Sequence, residues 1–207
     1  MSAASAGVRS SVALDGERAA RAWLAGAGGA WALLSAPIVV AAWGGPLASI
    51  GRLEPWRSAG AAVDDPYVVF GALSGASFLA IGLALLPDLR RAGWGGALLA
   101  WSIVLGAPIT AISYLSTPVD APLHALWGAE GPWLVGIGLL GVAAAVTAGR
   151  SWPRWTRALL GLTLPVLVLG LLALGYYPHG CLVTLAIEAV ALILAAPRGP
   201  RSPATAS

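Results

Sequence analysis

The sequence predicts an all-α membrane protein: a bundle of six transmembrane helices with both the N- and C-termini cytoplasmic. Three observations carry that reading. First, 58% of the 207 residues are hydrophobic and only 10% are charged, against roughly 45–50% apolar and about 25% charged in soluble domains. Too few charges are present to cover a water-exposed surface. Second, the chain divides into apolar runs near the length of about 20 residues that a spanning helix needs. Third, the arginines alternate between the two sides those runs define.

Residues 1–20 are small, polar and weakly basic, and are expected to form a disordered cytoplasmic tail. The transmembrane domain is expected over residues 21–196. Helix 1 covers about Ala22–Trp43, too long for the apolar core of a signal peptide and without a convincing cleavage site. Helix 2 covers about Tyr67–Pro87, helix 3 about Gly95–Ser116, and helix 4 about Pro132–Ala148. Helix 5 covers about Ala158–Tyr177 and helix 6 about His179–Ala196, where Pro197 stops it. Residues 197–207 form a short cytoplasmic tail.

All twelve basic residues are arginines. Arg9, Arg18, Arg21, Arg90, Arg91, Arg150, Arg154, Arg157, Arg198 and Arg201, ten of the twelve, fall on one side of the predicted bundle. Arg52 and Arg57 fall on the other. The positive-inside rule makes the first side cytoplasmic. Such scattered clusters are no nucleic-acid footprint, so no nucleic-acid partner is expected. The lack of lysine fits a high-GC genome, and the expected location is a bacterial cytoplasmic membrane. Trp23, Trp94, Trp152 and Trp155 sit at the predicted inner ends, and Trp43, Tyr67, Trp127, Trp133, Tyr176 and Tyr177 at the outer ends. Those are the levels that amphipathic rings favour.

Trp31 and Trp101 lie inside helices. Each precedes by six or seven residues the proline of an Ala-Pro-Ile, at Pro37 and Pro108. Helix 5 has an internal Pro165. Prolines at these places predict kinks in helices 1, 3 and 5. Gly71, Gly75 and Gly82 on helix 2, and Gly141, Ala145 and Gly149 on helix 4, predict close helix packing.

The chemistry-bearing candidates fall into two groups. Glu188 lies about 14 Å along helix 6 from His179. A charged side chain at mid-bilayer costs about 2.5–3.5 kcal/mol on insertion scales, so such residues face the bundle interior. Cys181, Thr184 and Glu188 share a stripe on helix 6, and Val183, Ile187, Val190 and Leu194 form a greasy stripe suited to lipid. The expected partner of the polar stripe is helix 3, with Ser102, Gly106, Thr110, Ser113 and Thr117, and with Tyr114 beside it. Two readings stand: a proton or cation site, or a protonated Glu188 tying helix 6 to helix 3.

The second group is extracytoplasmic: Asp120 and His124 in the 3–4 loop and His179 at the start of helix 6, with Glu130 in the same loop. Two histidines and a carboxylate are weak metal candidates, because no tight motif organises them. The 1–2 loop, about Gly44–Pro66, is the longest and is expected to cap the bundle or meet a partner. Cys181 is the sole cysteine, which excludes an internal disulfide and a multi-cysteine metal site. No nucleotide loop, nucleophile elbow or haem motif appears, and no cofactor is expected.

Several of these elements carry a resemblance. A Ser-containing loop after helix 1 (Leu47-Ala48-Ser49-Ile50-Gly51) precedes a glycine-rich helix 2 (Gly71–Leu86). Pro118-Val119-Asp120 and His124 follow helix 3, and Glu188 lies in the last helix. Over about Trp31–Ala196 the chain resembles an uncharacterised bacterial six-helix membrane family that itself resembles the DRAM/Frag group. Ser116 and Thr117 stand where that family usually has an aromatic. The resemblance implies a six-helix fold with Asp120 and His124 outside, and it implies no activity.

The functional expectation is a non-enzymatic integral membrane protein with a regulatory, scaffolding or lipid-environment role. The lipid bilayer is its first partner, with a homo-oligomer or another membrane protein left open. One alternative is a small proton-coupled transporter using Glu188. Another is a membrane metal-dependent hydrolase using Asp120, His124 and His179.

Overall fold

The computed structural model describes residues 3–41, 47–150, 152–176 and 178–197, with side chains from residue 15 onward. Trp43, Tyr177, Arg198 and Arg201 lie outside the described residues, as do parts of the 1–2 loop and the C-terminal tail. Ten α-helices and a single 3-10 turn are present among the described residues, and no strand.

α1 runs Ala3–Val40. Where the sequence predicts a disordered tail, the described backbone is helical ahead of residue 21. No glycine or proline breaks the chain between Glu17 and Arg21, and their side chains pair one turn apart at 3.6 Å. α2 (Ala48–Gly51) and α3 (Trp56–Ala61) make the 1–2 loop. They lie against α1: the Trp56 indole donates to the Leu34 carbonyl at 2.8 Å. Glu54 accepts from Ser58 and Arg57 within the same loop.

Helix 2 of the prediction is two pieces, α4 (Pro66–Leu73) and α5 (Gly75–Arg91). Asp65 caps α4, accepting from the Val68 amide at 3.0 Å. Ser74 interrupts the pair. Its hydroxyl bonds back to the Gly71 carbonyl at 2.6 Å, and the Ser77 amide turns to the Ser74 carbonyl instead of continuing the α pattern. The Trp31 indole donates to the Leu73 carbonyl at 3.0 Å, giving that group a partner at the interruption. So Trp31 has a role inside the bundle, while Trp101 is about half exposed on its outer face. The two Ala-Pro-Ile segments are not equivalent in space.

α6 is Trp94–Leu115, α7 Glu130–Thr147, α8 Arg154–Gly161, α9 Thr163–Leu174 and α10 His179–Ala195. The kinks do not follow the predicted prolines one for one. α1 and α6 remain single helices across Pro37 and Pro108. Helix 5 does break: α8 and α9 meet at 58° around Leu162. Pro165 explains the place. It lacks the amide that would bond the Gly161 carbonyl, and its ring clashes with that carbonyl in a continuous helix. Starting α9 anew at Thr163 puts Pro165 in a first turn, where no amide is needed.

Sequence neighbours are neighbours in space. α1 packs on α5, α5 on α6, α6 on α7, α7 on α8 and α9, α9 on α10, and α10 returns to α1. Glycines set these approaches. A Cβ on Gly75 would meet the Ala107 backbone at 2.8 Å, and one on Gly82 would meet Val104 at 2.7 Å. One on Gly138 would meet Leu164 at 2.6 Å. Phe78, Ile81, Leu85, Ile103, Ile137, Leu160, Leu182 and Leu185 fill the interior. Leu98, Leu105, Leu139, Val146, Leu172 and Leu194 project outward as a wide apolar belt, far more than soluble monomers expose.

Four helical segments are long and apolar enough to cross a membrane: Asp15–Val40, Pro66–Arg91, Trp94–Leu115 and His124–Thr147. The α8–α9 pair makes a fifth if its bent halves count as one span. α10 is apolar and 17 residues long. A membrane location follows from these lengths and from the apolar belt.

Candidate functional site

Glu188 is 4% exposed on α10, yet its partner is not helix 3. Glu188 Oε1 lies 2.8 Å from Thr163 Oγ1, the first residue of α9. The break in helix 5 creates this contact, because restarting the helix at Thr163 turns its side chain toward α10. The sequence-based pairing with Thr110, Ser113 and Tyr114 is thus corrected. α10 packs on α1, α9 and α5, so helix 3 stands elsewhere in the ring.

Hydrogen counting leaves two forms of the Glu188–Thr163 contact. Thr163 Oγ1 is also 2.8 Å from the Leu160 carbonyl. A hydroxyl has one proton, and a carbonyl can only accept. Thr163 either gives or shares its proton with Glu188, or donates to Leu160 and accepts from a protonated Glu188. The second arrangement supplies a proton to both contacts. Glu188 Oε2 is buried with no partner among the described residues, which costs far less for a neutral group than for an ion.

The rest of the α10 stripe is locally satisfied. Cys181 Sγ lies 3.3 Å from the Leu167 carbonyl, and Thr184 bonds back to the Gly180 and Cys181 carbonyls. Gly170 and Gly180 face each other, with no room for a Cβ on either. α9 and α10 are therefore in backbone contact about two turns from Glu188.

The helix 3 candidates serve a second polar cluster, at the end of the bundle that carries the 3–4 loop. Ser113 accepts from the Gly128 amide at 2.8 Å and donates to Glu130. Gly128 has φ of +82°, a conformation that suits glycine. Tyr114 and Tyr176 share a hydrogen bond at 2.7 Å, and the Tyr67 ring lies 5.1 Å from that of Tyr114. Burial pushes the Tyr176 phenol above its ordinary range, with the Tyr114 hydrogen bond opposing. Thr110 is buried, and its hydroxyl has no partner among the described residues.

The extracytoplasmic candidates do not converge. Asp120 is exposed. His124 Nδ1 donates to the Ser116 carbonyl at 3.0 Å, and its ring stacks on Trp127 with an interplanar angle of 9°. It closes the loop onto the end of α6. His179 is fully buried against Tyr176, with ring centroids 5.5 Å apart and neither nitrogen partnered among the described residues. Among the described residues no group of three or more His, Cys, Asp or Glu is placed to hold a metal ion.

Asp88 escaped the sequence reading, and Glu130 was read only as a loop acid. Asp88 is fully buried near the end of α5, where Arg21 Nη1 reaches it at 2.5 Å and Arg91 also pairs with it. Its spacing to Arg91 was a readable signal; the partner on α1 was not. Glu130 is 6% exposed rather than displayed in the loop. Its place directly before the apolar run of α7, where a helix N-terminus favours an acid, was the available hint.

The chain matches no known protein-family model, no curated protein and no solved structure.

Proposed function

We propose that the chain is a six-crossing integral membrane protein with both ends cytoplasmic, acting without catalysis in a regulatory, scaffolding or lipid-environment role. The observation that carries the topology is the contact of Arg18 with Pro197. Arg18 Nη2 donates to the Pro197 carbonyl at 3.2 Å, so the early part of α1 and the end of α10 share one end of the bundle. An even number of crossings must lie between them. The four long segments, the bent α8–α9 pair and α10 make six, with α10 at the short end of the spanning range of about 17–25 residues. Arg18, Arg21, Arg91 and Arg157 gather at that end. The positive-inside rule makes it cytoplasmic. The likeness to the DRAM/Frag-like family implies the same architecture.

The non-catalytic reading rests on how the polar side chains are used. Glu188 meets Thr163, Glu130 meets Ser113, and His124 holds its own loop. Each joins one piece of the bundle to another. The test is a series of Glu188→Gln, Asp120→Asn and His124→Ala in a deletion background. Each variant is expected to restore the wild-type phenotype. Loss of phenotype with normal protein levels would contradict a purely structural role.

One observation favours a second reading, a small proton-coupled carrier. The unpartnered Glu188 Oε2 lies at a break in a spanning pair, and transporters build substrate sites at such discontinuities. Purified chain in vesicles that takes up a solute under a pH gradient, and stops with Glu188→Gln, would favour this reading.

A further inference from the structure

An open apolar groove of about 280 Å³ runs along the seam between α1 and α10. Gly26, Ala30 and Leu33 line it from α1, and Val183, Ile187 and Val190 from α10. Its floor is a close helix contact, since a Cβ on Gly29 would meet that of Ala186 at 2.5 Å. Gly26 has the opposite surroundings: a Cβ there meets nothing within 4 Å. The space is therefore left by a small side chain and is not used for helix approach. Ile187 is 66% exposed beside it, so the groove opens outward onto the apolar belt.

A guanidinium stands over the same seam. Arg18 and Gly29 are eleven residues apart on α1, close to three full turns, and share a face. Arg18 bonds Pro197, so it bridges the two helices whose lower parts form the groove. From Arg18 to Gly26 is about 12 Å along the axis. The Pro197 carbonyl is neutral, so that bond does not itself neutralise the arginine charge. Arg21, by contrast, is committed to Asp88 and Glu17. Trp23 is 79% exposed between the levels of the guanidinium and the groove, as rings at a membrane interface are.

We infer that this seam binds one anionic phospholipid, its phosphate at Arg18 and an acyl chain in the α1–α10 groove. The inference rests on the membrane reading above and deepens it by naming a lipid class. Charge complementarity at the mouth and an apolar lining below match the two parts of such a molecule. A polybasic end facing the cytoplasmic leaflet would meet anionic headgroups there.

Native mass spectrometry of the full chain in detergent tests this, with phosphatidylglycerol and phosphatidylcholine of identical acyl chains as probes. The wild-type chain is expected to retain one phosphatidylglycerol, with about a fivefold preference over phosphatidylcholine, the scale of one arginine at a membrane surface. Gly26→Leu fills open space and should remove the adduct of both lipids while the chain stays folded. Arg18→Gln should bring the two lipids to near-equal retention, and Arg18→Lys should keep the preference. A Gly26→Leu chain that retains phosphatidylglycerol like wild type would overturn the assignment. So would a wild-type mass of two chains that Gly26→Leu halves, because a second copy would then occupy the groove. Alkaline washing of membranes separates the two levels. A chain that stays in washed membranes without lipid preference refutes the groove alone, and a chain that washes off refutes the membrane reading.

Discussion

Glu188 and Thr163 meet at 2.8 Å where helix 5 breaks. Thr163 also lies against the Leu160 carbonyl, and a neutral carboxyl that donates would satisfy both contacts at once. Glu188→Gln preserves a donor of the same shape and is expected to leave stability within about 0.5 kcal/mol of wild type. Glu188→Ala should cost about 1–2 kcal/mol, the range for a buried interhelical hydrogen bond in a membrane protein. Unfolding in mixed micelles with increasing SDS measures both. A Gln variant as damaged as the Ala variant would mean that the charge itself is needed.

The legible part of this fold was its hydropathy and arginine pattern, which act over whole helices. Every predicted apolar run contains a helix, because length and composition suffice for that. The Glu188 partner was not legible. A stripe on α10 says which residues share a face, but not which helix stands opposite. That depends on ring order and on the break at Leu162, and Pro165 gave only its approximate place. Of the predicted greasy stripe, Ile187 and Leu194 are more than 60% exposed, while Val183 and Val190 are partly buried against the core.

Asp88 joins α1 to α5 through Arg21 and is itself fully buried. Removing Asp88 takes the buried counter-charge from both Arg21 and Arg91, and breaking a buried pair costs roughly 3–5 kcal/mol. Asp88→Ala is expected to fall in that range, and the pair Asp88→Ala with Arg21→Ala to cost less than the sum of the single changes. A double-mutant cycle by thermal unfolding reads the coupling. Additive costs would mean that the contact contributes nothing.

Gly71 faces the Tyr114 ring, and any Cβ there overlaps it. Gly71→Val should destabilise by about 1–3 kcal/mol through overpacking and disturb the Tyr114–Tyr176 hydrogen bond. Gly136, with nothing within 4 Å of its Cβ position, serves as the control. Gly136→Val is expected to be neutral. Equal effects of the two changes, measured by thermal unfolding, would refute the packing assignment.

In the 1–2 loop, the Ser58 hydroxyl and the Arg57 guanidinium hold the Glu54 carboxyl below its ordinary range. A carboxyl lowered in the folded chain contributes order above its unfolded pKa and loses it as pH falls through the lowered value. Amide exchange at Ser58, whose N–H points at Glu54 at 3.3 Å, should therefore be slow near neutrality. It should accelerate, relative to the intrinsic rate, under acid. Glu54→Gln should abolish that dependence. A pH-independent protection factor would contradict the sign.

The account turns on an even number of crossings, and single-cysteine labelling tests that most directly. With Cys181 replaced by alanine, cysteines are placed one at a time at Ser2, Ala61 and Ser207, and intact cells are treated with a membrane-impermeant maleimide. The predicted result is labelling of Ala61→Cys in intact cells, and of Ser2→Cys and Ser207→Cys only after permeabilisation. Labelling of one terminal cysteine but not the other in intact cells would put the two ends on opposite sides and contradict the six-crossing bundle.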